Sequence, residues 1–187
     1  YDGPESRTLS DRCLSGFGST GGPPMLPVLY NNVKRIVQTP QHVMILVEMV
    51  HDVRMIRLNS EHVSPNIRKW MGDSIGHWEG DTLVVEVTHF SDTNPERANM
   101  GRPMLISGDA HITERFSRVS ESELFYQYTV DDPVYYTEPW RGEFSFTRDK
   151  SGHIYEYSCH EGNYSMVGAL RGARVQEAQA KKLIEKP

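Results

Sequence analysis

The sequence predicts a mainly β protein whose antiparallel strands form a meander that closes into a lipocalin-like β-barrel or a strongly curved sheet. Short segments rich in β-branched and aromatic residues recur along the chain between turn residues. Gly80-Asp81 is a two-residue hairpin signal between an aromatic strand and the long β-branched segment 82–90. Closure of a meander removes exposed edges and often leaves a ligand cavity. A two-sheet sandwich is the alternative architecture.

The elements follow in chain order from this pattern. Residues 1–27 form an irregular lead-in, because glycines and prolines interrupt every regular period. Eight or nine strands come next, at 34–39, 43–50, 53–58, 75–78, 82–90, 111–119, 123–130, 141–148 and 154–159, with a polar loop at 91–107. From residue 164 the pattern predicts one or two helices with a break near Gly172. We therefore expect one domain over 1–187, with the lead-in at 1–27, the β region at 28–160 and a helical segment at 164–187.

The composition restricts the class of partner. The chain has 187 residues, a net charge of -5, 37% hydrophobic residues and a mean hydropathy of -0.55. Nucleic acids and anionic membranes attract proteins with a surplus of Lys and Arg, so neither is expected here. No apolar run approaches the roughly 20 residues of a membrane helix. The expected partner is a small molecule, and a homodimer stays open.

Three carboxylates lie in otherwise apolar strand segments, which is costly for an unpaired charge. Glu48 lies within the apolar run 43–50, Glu86 alternates with Val84, and Glu114 shares a face with Ile112 by the period of two. In a barrel interior these carboxylates would be paired or have raised pKa values, as acid/base catalysis requires. The alternative is that each forms a structural ion pair with an arginine or a hydrogen bond with a backbone amide.

The first functional hypothesis is an acid/base enzyme of the lyase, isomerase or hydratase type. Glu48 or Glu114 would be the base, His111 would carry the proton, and Arg54 would anchor developing negative charge. Such chemistry needs no cofactor, and none is expected. A catalytic Glu114 predicts that Glu114→Gln abolishes activity at little cost in stability. The alternatives are a non-catalytic carrier of a hydrophobic ligand and a metal-dependent hydrolase.

Aromatic and titratable residues extend the candidate site. Aromatic residues could line an apolar pocket, although they are also ordinary core residues. The residues expected to contact a ligand are His51, Trp78, Glu86, Tyr126, Tyr128, Trp140 and His160. The eight histidines contain no pair with the spacing of a helical metal site, so no metal is predicted. A hydrolase metal would have to draw on His51, His111 and His160 from neighbouring strands.

The two cysteines, Cys13 and Cys159, are far apart in sequence. Their even number and wide separation fit one disulfide in an oxidising compartment. Two unrelated buried thiols are the alternative.

Four motifs carry a resemblance to known proteins: MGDSIGHWEGDTLVVEVTHF, HITERFSRV, YTVDDPVYYTEPW and YEYSCHEGNY. In this order they resemble a widespread group of secreted bacterial proteins of unknown function, over residues 31–163. The positions that match are Cys13, Glu48, Arg54, Trp78, Asp81, His111, Glu114, Asp132, Trp140, Cys159 and Glu161. The resemblance implies a periplasmic or secreted location and supplies no reaction.

Overall fold

The computed structural model describes residues 3–16, 20–93, 96–99 and 102–184. Ten strands and two α-helices lie within these residues, in chain order. They are β1 Lys34–Gln38, β2 His42–Val47, β3 Val53–Leu58, β4 Asp73–Glu79, β5 Thr82–Thr88, β6 Glu96–Asn99, β7 Arg102–Leu105, β8 His111–Arg118, β9 Glu123–Asp131, β10 Trp140–Thr147, α1 Cys159–Gly162 and α2 Tyr164–Ile184. Residues 185–187 of the predicted helical segment lie outside the described part.

Eight strands form one curled half-barrel sheet in the order β1-β2-β3-β4-β5-β8-β9-β10. The prediction of a mainly β protein built on a strongly curved sheet is confirmed. The sheet does not close, because β1 and β10 are both edge strands. It is also not a pure antiparallel meander, since β4 runs parallel to β3. Residues 59–72 make the crossover that a parallel neighbour requires.

Three predicted elements differ from the structure. The loop at 91–107 contains a separate ribbon, in which β6 pairs with β7 and accommodates Pro103, as short isolated strands can. Residues 154–159 are not a strand: the N–H groups of Tyr155 and Tyr157 donate to Glu48 and His51 side chains. Helix α2 continues through Gly172, where the predicted break would fall. Helix-forming neighbours offset the roughly 1 kcal/mol cost of an interior glycine.

Every second residue along several strands points to the inner face of the sheet. Strand β2 buries every second residue, and β8 and β9 repeat the pattern over most of their length. The predicted turn is present: β4 ends at Glu79, β5 begins at Thr82, and Gly80 has a φ of +58°, which favours glycine. The β-branched and aromatic residues that predicted the strands therefore also form the core.

Residues 20–26 of the lead-in pack against the inner face of the half-barrel. Every residue from 20 to 26 is buried, and Met25 and Leu26 belong to the main hydrophobic core. Lead-in residues thus take the interior space that a closed lipocalin-like barrel would leave for a ligand.

The predicted disulfide is present between Cys13 and Cys159, 146 positions apart. It joins the lead-in to the start of α1, and the Asn163 side chain donates to the Asp11 carbonyl beside it at 2.6 Å. In the described residues, neither helix combines the length and the apolar character needed to cross a bilayer.

Candidate functional site

Arg54 and Glu114 form an ion pair inside the half-barrel, from β3 and β8. Arg54 Nη1 donates to Glu114 Oε1 at 3.1 Å, and Nη2 donates to Oε2 at 2.5 Å. The side chains are 1% and 0% exposed. Arg54 Nη2 also donates to Ser74 Oγ at 3.3 Å. This two-bond geometry is the strong form of an arginine–carboxylate pair, and it occupies both oxygens of the predicted base.

Tyr126 completes the buried network from β9. Its hydroxyl donates to Glu114 Oε1 at 2.5 Å and accepts the backbone N–H of Met25 at 2.9 Å. Burial, together with the Glu114 carboxylate, raises the pKa of Tyr126 well above its usual value, so the phenol keeps its proton and remains a donor. The lead-in is therefore bonded to the same network that it covers. These contacts favour the structural ion-pair interpretation of Glu114 and Arg54.

Glu48 is buried but belongs to a different cluster. It follows β2 directly and precedes a 3-10 turn at Met49–His51. Its Oε1 accepts Asn31 Nδ2 at 2.7 Å, and its Oε2 accepts the backbone N–H of Tyr155 at 3.1 Å. Glu48 therefore holds two irregular segments against the sheet.

His111 and Glu86 lie on the outer face of the sheet, which corrects two expectations. His111 Nε2 is 3.9 Å from Glu86 Oε2, and the side chains are 45% and 44% exposed. His111 is three positions before Glu114 in one strand, so the two side chains point to opposite faces. His111 cannot relay a proton to Glu114, and Glu86 does not enter the interior.

The predicted aromatic set divides into two groups. Tyr126, Tyr128 and Trp140 lie together, with ring centroids 5.6 Å apart for Tyr126–Tyr128 and 5.7 Å apart for Tyr128–Trp140. They pack with the core. Trp78, at the end of β4, is exposed and makes none of these ring contacts.

The remaining predicted histidines do not converge. His51 lies in the turn after β2, His160 lies in α1, and both are exposed. In the described residues, His51, His111 and His160 do not form a metal-binding group.

A groove of about 1290 Å³ lies between the two edge strands β1 and β10. Its walls include Ile36 of β1, Leu124 of β9, and Phe144 and Phe146 of β10, and Met25 of the lead-in also lines it. Phe144 stands edge-on to Tyr126, with the ring centroids 5.2 Å apart. The groove therefore borders the buried network and has an apolar, partly aromatic wall.

Lys34 places a positive charge in this groove. Its Nζ lies 5.2 Å from the centroid of the Phe146 ring and donates to the Asn32 carbonyl at 3.2 Å. Burial lowers the pKa of Lys34 to about 8, because the ammonium loses hydration. The lysine is still mostly charged at pH 7, so it can pair with an anion.

Comparison with protein-family models found no match, and comparisons with the curated proteins and with the solved structures found none either.

Sequence reasoning missed the groove and Lys34. The groove walls come from the first and last strands of the sheet, and nothing in a single sequence says that these strands face each other. The alternation of side chains along β1 could have pointed to Lys34. Lys34 and Ile36 alternate with Arg35 and Val37, so the lysine lies on the same face of the strand as the isoleucine.

Proposed function

We propose that the protein is a non-catalytic binding protein for an amphipathic small molecule with an acidic group, held in the groove between β1 and β10. The observation that carries this proposal is the combination, in one groove of about 1290 Å³, of an aromatic wall and the ammonium of Lys34. This volume is somewhat larger than the roughly 300–1,000 Å³ of typical small-molecule pockets.

The wall chemistry favours an apolar body on the ligand. Phe144 and Phe146 stand edge-on to each other, with centroids 4.9 Å apart, and Ile36 on the opposite edge strand is 44% exposed. Covering such side chains with a ligand removes apolar surface from water, at about 25 cal/mol per Å².

The charges around the groove favour an acidic group at Lys34. Like Lys34, the nearby cations Arg35 and Arg118 donate to backbone carbonyls, Arg35 to that of Gly152 and Arg118 to those of Ser120 and Glu121. Arg148 differs, because it lies 3.7 Å from the Glu121 carboxylate. Lys34 has a backbone carbonyl and the Phe146 ring as neighbours, and neither neutralises its charge. A carboxylate or sulfonate beside Lys34 would supply that counter-charge.

Acid/base catalysis has less support. Glu114 and Arg54 are paired with each other beneath the lead-in, and His111 is on the opposite face from Glu114. We also propose that the protein is exported, to the periplasm or the cell exterior. The Cys13–Cys159 disulfide and the motif resemblance support that location.

A matched pair of variants on β1 tests the groove. The dye anilinonaphthalene sulfonate combines an aromatic body with a sulfonate and serves as the probe. Ile36→Trp should fill the groove and weaken dye binding at least about tenfold. Val37→Trp is the control, since Val37 is 41% exposed on the same strand but does not line the groove. Equal binding by both variants would refute the groove proposal.

Two further measurements complete the test. Near-UV circular dichroism must match the wild type, because this dye also binds loosely packed states. A medium-chain fatty acid should displace the dye and be recovered chemically unchanged after incubation. Its conversion would favour the enzyme hypothesis.

A further inference from the structure

Three residues outside the groove meet beneath the crossover between β3 and β4. His62 is in the crossover, Asp73 begins β4, and His89 directly follows β5. Backbone bonds bring the crossover to the end of β5: the Lys69 N–H donates to the His89 carbonyl at 3.0 Å, and the Ser91 N–H donates to the Lys69 carbonyl at 2.9 Å. A nitrogen of each histidine and an oxygen of Asp73 lie within 4.8 Å of one another.

The two rings have nitrogen atoms without hydrogen-bond partners. His62 Nδ1 lies 3.0 Å from Asp73 Oδ2, while His62 Nε2 and His89 Nδ1 are buried and unpaired within the described residues. The ring centroids are 5.4 Å apart and the ring planes meet at 67°. Thr88, which pairs with Asp73 across β4 and β5, carries another buried oxygen with no partner there. Buried polar atoms normally have a hydrogen-bond partner. Several such atoms without a partner at one place therefore indicate that a ligand binds there.

We propose that His62 and His89 bind a transition-metal ion of the class that prefers imidazole, such as Zn²⁺, and that Asp73 orients His62 from outside the coordination sphere. Neutral imidazole nitrogen is a common ligand for Zn²⁺, Cu²⁺ and Ni²⁺, whereas Ca²⁺ and Mg²⁺ prefer oxygen. Metal-ligating histidines usually donate their other ring N–H to a carboxylate, which matches the His62 Nδ1–Asp73 contact.

The basic residues around Asp73 explain why it remains outside the coordination sphere. Arg57 Nη2 donates to Asp73 Oδ2 at 2.9 Å, and Lys69 Nζ donates to Oδ1 at 2.7 Å. The carboxylate is thereby neutralised and occupied, so it orients His62 without binding the ion. The same cations repel a bound ion. Lys69 is 46% exposed and can be replaced without opening the core.

Calorimetric titration of the chelator-treated, disulfide-intact protein with ZnCl₂ tests this site. We expect one equivalent to bind, and His62→Ala and His89→Ala should each weaken binding at least about tenfold. His77→Ala is the control, since His77 is exposed on β4 and contacts Glu79 instead. Lys69→Met should tighten binding, because it removes a repelling charge next to the site. Binding that survives both His62→Ala and His89→Ala would overturn the proposal.

A spectroscopic measurement on the wild-type protein tests the site without any substitution, so its result does not depend on whether the variants fold. In protein labelled with nitrogen-15 at histidine, Zn²⁺ should shift the resonances of His62 Nε2 and His89 Nδ1 and leave those of His77 in place. Shifts confined to exposed histidines, or no saturable binding, would reject the site.

Discussion

The phenolic oxygen of Tyr126 accepts a hydrogen bond from the backbone N–H of Met25 at 2.9 Å, across 101 positions of sequence. The same hydroxyl donates to Glu114, which is paired with Arg54. A single oxygen atom thus connects the lead-in to the ion pair inside the half-barrel.

Tyr126→Phe should destabilise the protein by about 1–3 kcal/mol, because it leaves the buried Met25 N–H without its acceptor and removes one of the donors to Glu114. Tyr128→Phe is the matched control, since the Tyr128 hydroxyl makes no hydrogen bond among the described residues. Urea unfolding of the two variants measures the difference. Equal stability losses would show that the Tyr126 hydroxyl does not fasten the lead-in.

Glu114→Gln should lower the free energy of unfolding by about 3–5 kcal/mol, because it leaves the Arg54 charge buried without a counter-ion. This outcome is the opposite of the small stability change that a catalytic Glu114 predicts. Glu86→Gln is the control, since Glu86 lies on the outer face and is 44% exposed. Thermal and urea unfolding check it. A melting temperature within a few degrees of the wild type would restore the catalytic interpretation.

Replacing both cysteines by serine should cost about 5 kcal/mol in the chain-entropy model, because the Cys13–Cys159 bridge closes a loop across 146 positions. Native-state strain commonly makes the measured loss smaller. Unfolding of the wild type with and without reductant, beside the double-serine variant, separates the bridge from the substitutions. A reduced wild type as stable as the oxidised protein would contradict the prediction.

Lys34→Met should stabilise the protein at pH 7, and the advantage should shrink as pH rises. The folded-state pKa of Lys34 is about 8, below the ordinary value of 10.5. Below pH 8 both states hold the proton, and the folded state bears the full cost of burying the ammonium. Between pH 8 and 10.5 the unfolded state binds more protons, so stability rises with pH. Above 10.5 both states are neutral and the cost is gone.

Urea unfolding at pH 7 and near pH 10 measures this difference, with Lys150→Met as the control in an exposed turn. A stability difference between wild type and Lys34→Met that is the same at both pH values would show that Lys34 is not desolvated.

The local features of the fold could be predicted from sequence because they depend on periodicity. Alternation placed Ile112 and Glu114 on one face of β8, which is the buried face, and Gly80-Asp81 located a hairpin. The parallel pairing of β3 and β4 could not be predicted, because strand order leaves no trace in the period of either strand. The burial of residues 20–26 was also missed, since irregular glycine- and proline-rich segments have no period to analyse.

The candidate site shows the same division. Burial of Glu48 and Glu114 followed from charges within apolar strands, and an ion pair with an arginine was among the stated alternatives. The same reasoning was wrong for Glu86, which lies on the outer face. The face of His111 could have been read from its odd spacing to Glu114. The approach of His62 to His89 could not be predicted, because a crossover without regular structure brings the two residues together.

The buried lead-in has a consequence for the order of folding. Met25 is synthesised before Tyr126, to which it bonds, and 101 positions separate the two residues. Most strand pairs join sequence neighbours and can assemble as they emerge. The lead-in, by contrast, cannot form these native contacts until β8 and β9 are in place. Its glycines and prolines suit that interval, because they resist premature helix or strand formation while the surface is incomplete.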